Sequence, residues 1–137
     1  MNPLGLEVGQ RARRAKTVTA RDVELYAEIT GDRNPLHFDA DFVGRTRFGR
    51  LVAQGGITSG MLNALVAMDL PGPGTVFMSQ SLRYLAPTYL GDTLTAEVEV
   101  LAVKPDKPVC QLKATITNRD GTVVLEGECW TYTLRPT

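Results

Sequence analysis

Apolar and polar residues alternate along the second half of the chain, as is typical of strands with one buried and one solvated face. Every second residue is apolar from Leu94 to Val100 and again from Cys110 to Ile116. Two further strands are predicted from Thr75 to Tyr84 and from Thr122 to Leu134. Turn sequences rich in proline, glycine, asparagine and aspartate separate the segments, so this half is predicted to form about four antiparallel strands.

The first half begins with a predicted strand, from Gly9 to Val18, and continues with a predicted helix from Ala20 to Thr30. Thr19 has the side chain of an N-cap, and Asp22, three residues on, completes the pattern of a capping box. Gly31 fits the stop at the C-terminus of this helix.

A longer helix is predicted to begin near Gly55-Gly56 and to end at Pro71-Gly72-Pro73-Gly74. Its apolar residues recur at helical spacing over a broad face, which predicts burial along that face. They are Ile57, Met61, Leu62, Leu65, Val66 and Met68. One strand, then helices, then further strands predict an α+β fold in which this helix packs on the inner face of an antiparallel sheet.

The length of 137 residues predicts one domain, covering residues 1–137. Acidic and basic residues number 15 each, so no overall field recruits nucleic acid or an anionic membrane. One basic cluster is formed by Arg11, Arg13, Arg14 and Lys16. It is interpreted as the solvated edge of the first strand rather than as a nucleic-acid patch.

Neither a signal peptide nor a run of the ~20 apolar residues that span a bilayer is found, so a cytoplasmic location is expected. Cys110 and Cys129 would lie nearly opposite each other if the last hairpin turns at Arg119-Asp120, which makes a disulfide conceivable. In a reducing cytosol we expect buried free thiols instead. The sequence has neither a glycine-rich phosphate loop nor a metal-ligand cluster, so no cofactor and no metal are expected.

The only histidine, His37, follows Asp32 by five residues. Gly31 ends the preceding helix and Pro35 biases Asn34 towards extended geometry, so a non-helical loop is predicted between them. Such a loop can aim both side chains at one substrate atom. The alternative is that the aspartate caps a turn and that the histidine is a hydrogen-bonded structural residue.

The segment Gly31-Asp32-Arg33-Asn34-Pro35-Leu36-His37, preceded by a helix with Tyr26 and followed by Asp39-Ala40, resembles the hydratase 2 motif of MaoC-like (R)-specific enoyl-CoA hydratases. Over nearly the whole chain, the order of elements resembles the hot-dog fold, in which a sheet wraps around a central helix and this motif lies on an overhanging loop. The resemblance implies a homodimeric hydro-lyase that adds water reversibly to trans-2-enoyl-CoA and gives (R)-3-hydroxyacyl-CoA.

The resemblance also implies that Asp32 and His37 are the catalytic pair and hold one water between them for syn addition. A carboxylate and an imidazole suit general acid–base catalysis near neutral pH. We favour Asp32 as the base that activates water, with His37 orienting the water and exchanging the second proton. The sequence leaves open which of the two delivers the α proton.

Gly55 and Gly56 lie at the predicted start of the long helix, where unpaired amides and the positive end of the helix dipole face outwards. They are either ordinary helix-start residues or part of the site. The resemblance implies the latter, with the Gly55 amide binding the thioester oxyanion.

Three polar residues are expected to support the pair. Asn34 is expected to tie the loop together through side-chain to backbone bonds. Many relatives have His-Gly-Met where this chain has Gln54-Gly55-Gly56, and Gln54 is expected to hydrogen-bond the loop. Asn63, at a position where relatives often have serine, is either a partner of Asp32 or simply exposed to solvent.

Other functions remain open from sequence. The nearest alternative is a subunit of a 3-hydroxyacyl-carrier-protein dehydratase that needs a second hot-dog chain. A hot-dog thioesterase fits the loop less well. A non-catalytic acyl-thioester-binding partner subunit would keep the fold without needing both Asp32 and His37.

Overall fold

A computed structural model describes residues 2–136. In chain order the elements are β1 (Arg11–Thr17), α1 (Ala20–Thr30), α2 (Pro35–Phe38), α3 (Ala40–Gly44), α4 (Gly55–Met68), β2 (Thr75–Tyr84), β3 (Thr93–Val103), β4 (Val109–Thr117) and β5 (Val123–Thr133). The predicted elements are confirmed, with ends that differ by a few residues.

The five strands form one antiparallel sheet in the order β1-β3-β4-β5-β2. Helix α4 contacts β1, β2 and β3. Because β1 and β2 are the two opposite edges of the sheet, the sheet must curve around α4 for both edges to reach it. This is the predicted arrangement of a central helix against the inner face.

Burial follows the alternation that the sequence predicts. The inner face of β3 and β4 is fully or almost fully buried, and it packs with the apolar face of α4 in one core. The main contributors are Leu62, Leu65, Val66, Leu94, Val98, Val100, Leu112, Ala114 and Ile116. Burial of these aliphatic side chains is what holds the sheet around the helix.

Helix α1 has the predicted ends. The Thr19 side chain accepts a hydrogen bond from the Asp22 amide, and the Asp22 side chain accepts one from the Thr19 amide, so the capping box is complete. Gly31 closes the helix in the left-handed conformation, with φ of 82°. Val23 and Ala27 are buried against the rest of the molecule.

The segment between α1 and α3 is not entirely the non-helical loop that was predicted. The chain does leave α1 at Gly31, but a new helical turn, α2, begins at Pro35 and contains His37. Proline is suited to a first helical position, because its φ is helical and its missing N–H would have no partner there. Asn34 caps this turn, since its side chain accepts from the Leu36 amide.

The basic cluster lies on the exposed edge strand β1, as predicted. Each of its side chains pairs with a carboxylate of a neighbouring element. The pairs are Arg11–Glu99, Arg13–Glu97, Arg14–Asp69 and Lys16–Asp22. The side chains therefore neutralise nearby carboxylates and cover this edge, which is not the arrangement of a nucleic-acid patch.

The two cysteines are free and buried, as predicted, but they are not opposite each other. Cys110 lies opposite Thr131 and Cys129 opposite Leu112, because the hairpin is centred on Asp120 and the register of β4 and β5 then shifts by one residue between Ile116 and Thr117. Burial raises the pKa of Cys110 to about 11 and that of Cys129 to about 12.

No helix within residues 2–136 is long and apolar enough to cross a membrane. The same residues contain no group of three or more histidine, cysteine, aspartate or glutamate side chains placed to hold a metal ion.

Candidate active site

The turn after α1 is organised by side chains that bond to backbone groups close in sequence. The Asp32 amide donates to the Thr30 hydroxyl (3.1 Å), and the Asn34 amide donates to Oδ1 of Asp32 (3.3 Å). Oδ1 of Asn34 then accepts from the Leu36 amide (3.0 Å). The expected role of Asn34 is therefore seen directly, and the chain between Asp32 and α2 is held by local bonds.

Helix α2 is fixed to the rest of the molecule through Val52. The Val52 amide donates to the carbonyl oxygen of Leu36 (3.1 Å), and Nδ1 of His37 donates to the carbonyl oxygen of Val52 (2.7 Å). Val52 in turn forms a β-bridge with Tyr89. These contacts fix the position and the rotation of the His37 ring.

The bond to Val52 decides which nitrogen of His37 faces Asp32. A carbonyl oxygen only accepts, so Nδ1 carries a proton, and in the neutral ring Nε2 then presents a lone pair. Nε2 lies 3.7 Å from Oδ1 of Asp32. That distance is too long for a good hydrogen bond, yet one water can lie within hydrogen-bond distance of both atoms.

The two side chains differ in their access to solvent. The His37 side chain is 10% exposed, whereas the Asp32 side chain is 39% exposed. A substrate or a water molecule therefore reaches the pair from the Asp32 side. The structure brings the two predicted residues together in a buried-to-exposed arrangement suited to proton transfer.

Gly55 and Gly56 are the first two residues of α4, as predicted. The residue before them, Gln54, makes no side-chain capping bond, and neither glycine amide has an acceptor among the described residues. Gly55 lines a cavity of about 350 Å³ together with Val52, Thr58 and residues of the connection between β2 and β3. Val52 thus contacts both His37 and this cavity.

Aromatic rings from two other elements explain why both positions are glycine. A Cβ on Gly56 would lie 1.9 Å from the hydroxyl oxygen of Tyr26 on α1. A Cβ on Gly55 would lie 2.9 Å from Cε1 of Tyr84 at the end of β2. An added side chain at either position would therefore have to displace a tyrosine ring, and glycine leaves the ring and the free amide in place.

Gln54 is buried but does not bond the Asp32–His37 turn, so that expectation is wrong. Its Nε2 donates to the carbonyl oxygen of Val23 on α1 (3.0 Å), and its Oε1 is buried without a hydrogen-bond partner in residues 2–136. The hydrogen bonds that hold the turn come from its own side chains. Gln54 supports the site indirectly, by fastening the start of α4 to the helix that precedes Asp32.

Asn63 is exposed to solvent, which is the second of the two interpretations of this residue. Its Oδ1 accepts a hydrogen bond from Nε2 of Gln80 on β2 (3.2 Å), and no bond between Asn63 and Asp32 is found within residues 2–136. Asn63 therefore links α4 to the sheet and does not orient the carboxylate inside this protomer.

Three contributors to the site are missed or misjudged from sequence. Val52 acts through its carbonyl oxygen, which every residue has, so no sequence signal identifies it. The sequence places Tyr26 only on the helix before the motif and Tyr84 only at the end of a predicted strand. The pair Gly55-Gly56 is the available signal, because two adjacent glycines at a helix start indicate that something approaches closely.

Comparison with known proteins gives consistent matches. The family model described as "MaoC like domain" matches residues 5–124. The chain is 38% identical over 128 residues to a protein of Aeromonas caviae named (R)-specific enoyl-CoA hydratase, which covers 93% of this chain and 96% of that protein. It is 42% identical over 123 residues to a 3-hydroxybutyryl-CoA dehydratase of Methylorubrum extorquens, covering 90% of this chain and 78% of that protein.

A solved structure has the same backbone arrangement. The (R)-hydratase from A. caviae involved in PHA biosynthesis superimposes with a TM-score of 0.91 at 37% identity, over 95% of this chain and 98% of that one.

Proposed function

The chain belongs to the MaoC-like domain family, and on that premise we propose that it is an (R)-specific enoyl-CoA hydratase. The reaction is the reversible addition of water to trans-2-enoyl-CoA, which gives (R)-3-hydroxyacyl-CoA. The predicted hot-dog fold is confirmed by the match to the (R)-hydratase structure. The observation that carries the proposal is the 3.7 Å approach of His37 Nε2 to Asp32 Oδ1, with Nδ1 of the ring bonded to Val52.

In the proposed reaction one water lies between the two side chains. Asp32 accepts a proton from this water as its oxygen attacks the β carbon. His37 orients the water through the lone pair of Nε2, and the water's other hydrogen stays on the new hydroxyl group. The proton taken from the water is passed within the pair and delivered to the α carbon, so both side chains end in the protonation state in which they began. Because Nδ1 is bonded to the Val52 carbonyl, Nε2 is the one ring nitrogen from which His37 exchanges protons with the site.

The addition also places negative charge on the thioester oxygen, and we assign its stabilisation to the start of α4. Amides in the first turn of a helix have no intrahelical acceptor, and the dipole of the helix favours an anion there. The Gly55 amide is proposed as the donor, with Gly56 beside it. Pre-positioned backbone donors of this kind contribute several kcal/mol in acyl-transfer enzymes, on the order of 10²-fold or more in rate.

We also propose a homodimer that forms through β2. This strand is an edge of the sheet, it is ten residues long, and it exposes Val76 and Met78 to 47% and 59%. The opposite edge, β1, is instead covered by ion pairs. The one charged residue of β2, Arg83, is paired with Glu126 of β5, so this exposed edge favours pairing with a second strand. Light scattering should give the mass of two chains, and Met78→Lys should shift that mass towards one chain.

The activity is tested by following the absorbance of the conjugated enoyl thioester in crotonyl-CoA, then in a series from C4 to C12, with chiral analysis of the product. We expect loss of absorbance and the (R)-3-hydroxyacyl product. Activity only with carrier-protein thioesters would support the dehydratase-subunit alternative. An inactive protein that still binds enoyl-CoA would support the partner-subunit alternative, and an (S) product would contradict the proposed placement of water.

A further inference from the structure

The chain between α3 and Leu51 carries three arginines within six residues, Arg45, Arg47 and Arg50. All three are exposed, and none forms an ion pair with a carboxylate of residues 2–136. Elsewhere the arginines of β1, and also Arg33 and Arg83, are paired with a carboxylate. A concentration of unpaired guanidinium groups is a place where an anion binds without displacing an existing partner.

This arginine segment, residues 45–50, is fixed in position. The Thr46 hydroxyl donates to the Val43 carbonyl (2.7 Å), and the Tyr89 hydroxyl donates to the Phe48 carbonyl (3.0 Å). The Arg50 guanidinium stacks over the Tyr89 ring, with 3.9 Å from Cζ to the ring centroid. The backbone of the segment is therefore fixed, and the Arg50 guanidinium is pre-organised for a ligand.

The arginine segment borders the cavity that contains Gly55. Arg47 and Phe48 line this cavity of about 350 Å³, and Gly55 lines it too. A thioester whose oxygen contacts the Gly55 amide therefore has a path from the start of α4 to Arg47. In an acyl-CoA the group attached to the thioester is pantetheine, and the group beyond pantetheine carries three phosphates.

We infer that Arg45, Arg47 and Arg50 bind the phosphates of the 3′-phospho-ADP group of coenzyme A, while pantetheine occupies the cavity between Arg47 and Gly55. The inference rests on the proposed function and adds the residues that hold the coenzyme A part of the substrate. Guanidinium groups bind phosphate oxygens through two parallel hydrogen bonds, which lysine does not provide.

One feature favours this small ligand over an acidic carrier protein. The three arginines lie within six residues on one short segment beside the cavity, which fits the phosphates of one nucleotide better than the wide surface that a protein partner covers.

The test measures the binding of free coenzyme A, 3′-dephospho-coenzyme A and pantetheine by calorimetry, without any reaction. Arg47→Ala and Arg45→Ala should each weaken the binding of coenzyme A about tenfold, since each removes a charge-assisted hydrogen bond to a phosphate oxygen. Arg47→Lys should lose less, and pantetheine should bind all variants alike. The matched control is Arg21→Ala, which removes an exposed arginine at the start of α1 and should leave all three affinities unchanged.

Kinetics provide the second measurement. Arg47→Ala should raise KM for crotonyl-CoA about tenfold with kcat unchanged, and it should leave crotonyl-pantetheine unaffected. Equal effects on both substrates, or no effect on either, would overturn the assignment. An effect confined to crotonyl-carrier-protein would also overturn it and would identify the arginine segment as a carrier-protein contact.

These measurements distinguish a failure of the hydratase proposal from a failure of the arginine site. If coenzyme A binding depends on the arginines but the wild-type protein hydrates no enoyl-CoA, the arginine site is supported and the hydratase proposal is wrong. If the protein hydrates crotonyl-CoA and none of the arginine variants changes affinity or KM, the hydratase proposal is supported and the arginine site is wrong.

Discussion

The turn that carries Asp32 and His37 and the start of α4 are built in different ways, although both belong to the proposed site. The turn is held by side chains of Thr30, Asp32 and Asn34 that bond to amides two residues away. The start of α4 is held by tertiary contacts, in which rings from α1 and β2 lie against glycine backbone. One half therefore acts through side chains, and the other acts through backbone amides that side chains would cover.

This difference determines how each half is tested. Side-chain chemistry is removed by replacing the side chain, whereas a backbone donor is disturbed by adding atoms next to it. The comparison predicts that replacing Asp32 or His37 with the amide residues asparagine or glutamine acts mainly on the rate. It also predicts that added methyl groups at the start of α4 act on stability or on rate according to which ring they meet.

The largest effect is expected in the turn. Asp32→Asn and His37→Gln should each lower kcat by at least about 100-fold, because each removes a group that transfers or orients a proton. Stopped-flow or steady-state assays with crotonyl-CoA measure the loss of kcat, and circular dichroism checks the fold. The matched control is Asp41→Asn, an exposed carboxylate on α3, which should keep the wild-type rate. Wild-type rates in both folded turn variants would refute the assignment of the pair.

A Cβ at Gly56 should act mainly on stability. In Gly56→Ala the added Cβ would lie 1.9 Å from the hydroxyl oxygen of Tyr26, so the ring must move. The free energy of unfolding should fall by about 1–3 kcal/mol, as it does on overpacking. Urea unfolding measures the change. In a Tyr26→Ala background the same substitution should have almost no effect, since the clash is gone. Additive effects of the two substitutions would show that the ring does not restrict this position.

A Cβ at Gly55 should act mainly on rate. The Tyr84 ring that it meets is 56% exposed and can move into solvent, so the free energy of unfolding should change by less than about 1 kcal/mol. The methyl group enters the cavity beside the free amide, and kcat/KM should fall about tenfold because the thioester is displaced.

The control for Gly55 lies on the same helix. At Gly60 an added Cβ meets nothing within 4 Å, so Gly60→Ala should keep activity and add up to about 1 kcal/mol of stability. If Gly55→Ala and Gly60→Ala had the same effect on kcat/KM, the assignment of Gly55 to the site would be wrong.

The smallest effect is expected where the two halves are joined. Gln54→Leu removes the bond to Val23, but it also removes a buried oxygen without a partner. The Val23 carbonyl lies inside α1 and still accepts from the helical amide four residues on. The free energy of unfolding should therefore stay within about 1 kcal/mol of wild type in chemical denaturation. A loss above about 2 kcal/mol would show that the Gln54 amide is fully hydrogen-bonded.

The fold was predictable because each of its signals is local. Alternation over Leu94–Val100 and Cys110–Ile116 indicates one buried face, and the structure buries that face. The capping box at Thr19 and the glycine stop at Gly31 define α1 to the residue. The register of the last hairpin was wrong by two residues: one comes from a turn centred on Asp120, and the other from the shift between Ile116 and Thr117, which no local signal indicates.

Only part of the site was predictable, because only part of it is held by bonds between residues close in sequence. The distance between Asp32 and His37 follows from a short turn whose bonds span two residues each. The partners of Gln54 and Asn63 lie on α1 and β2, and no spacing in the sequence indicates them. The role of Val52 is carried by a backbone oxygen, to which the sequence gives no clue.

By itself, the sequence determined the strands, the helix boundaries and the turn that holds a carboxylate near an imidazole, because propensities, caps and short-range hydrogen bonds act within a few residues. The tertiary structure decided which nitrogen of His37 is free, which rings press on Gly55 and Gly56, and where Arg47 meets the cavity. Those features depend on groups that are distant in the chain and become neighbours only when the sheet has closed around α4.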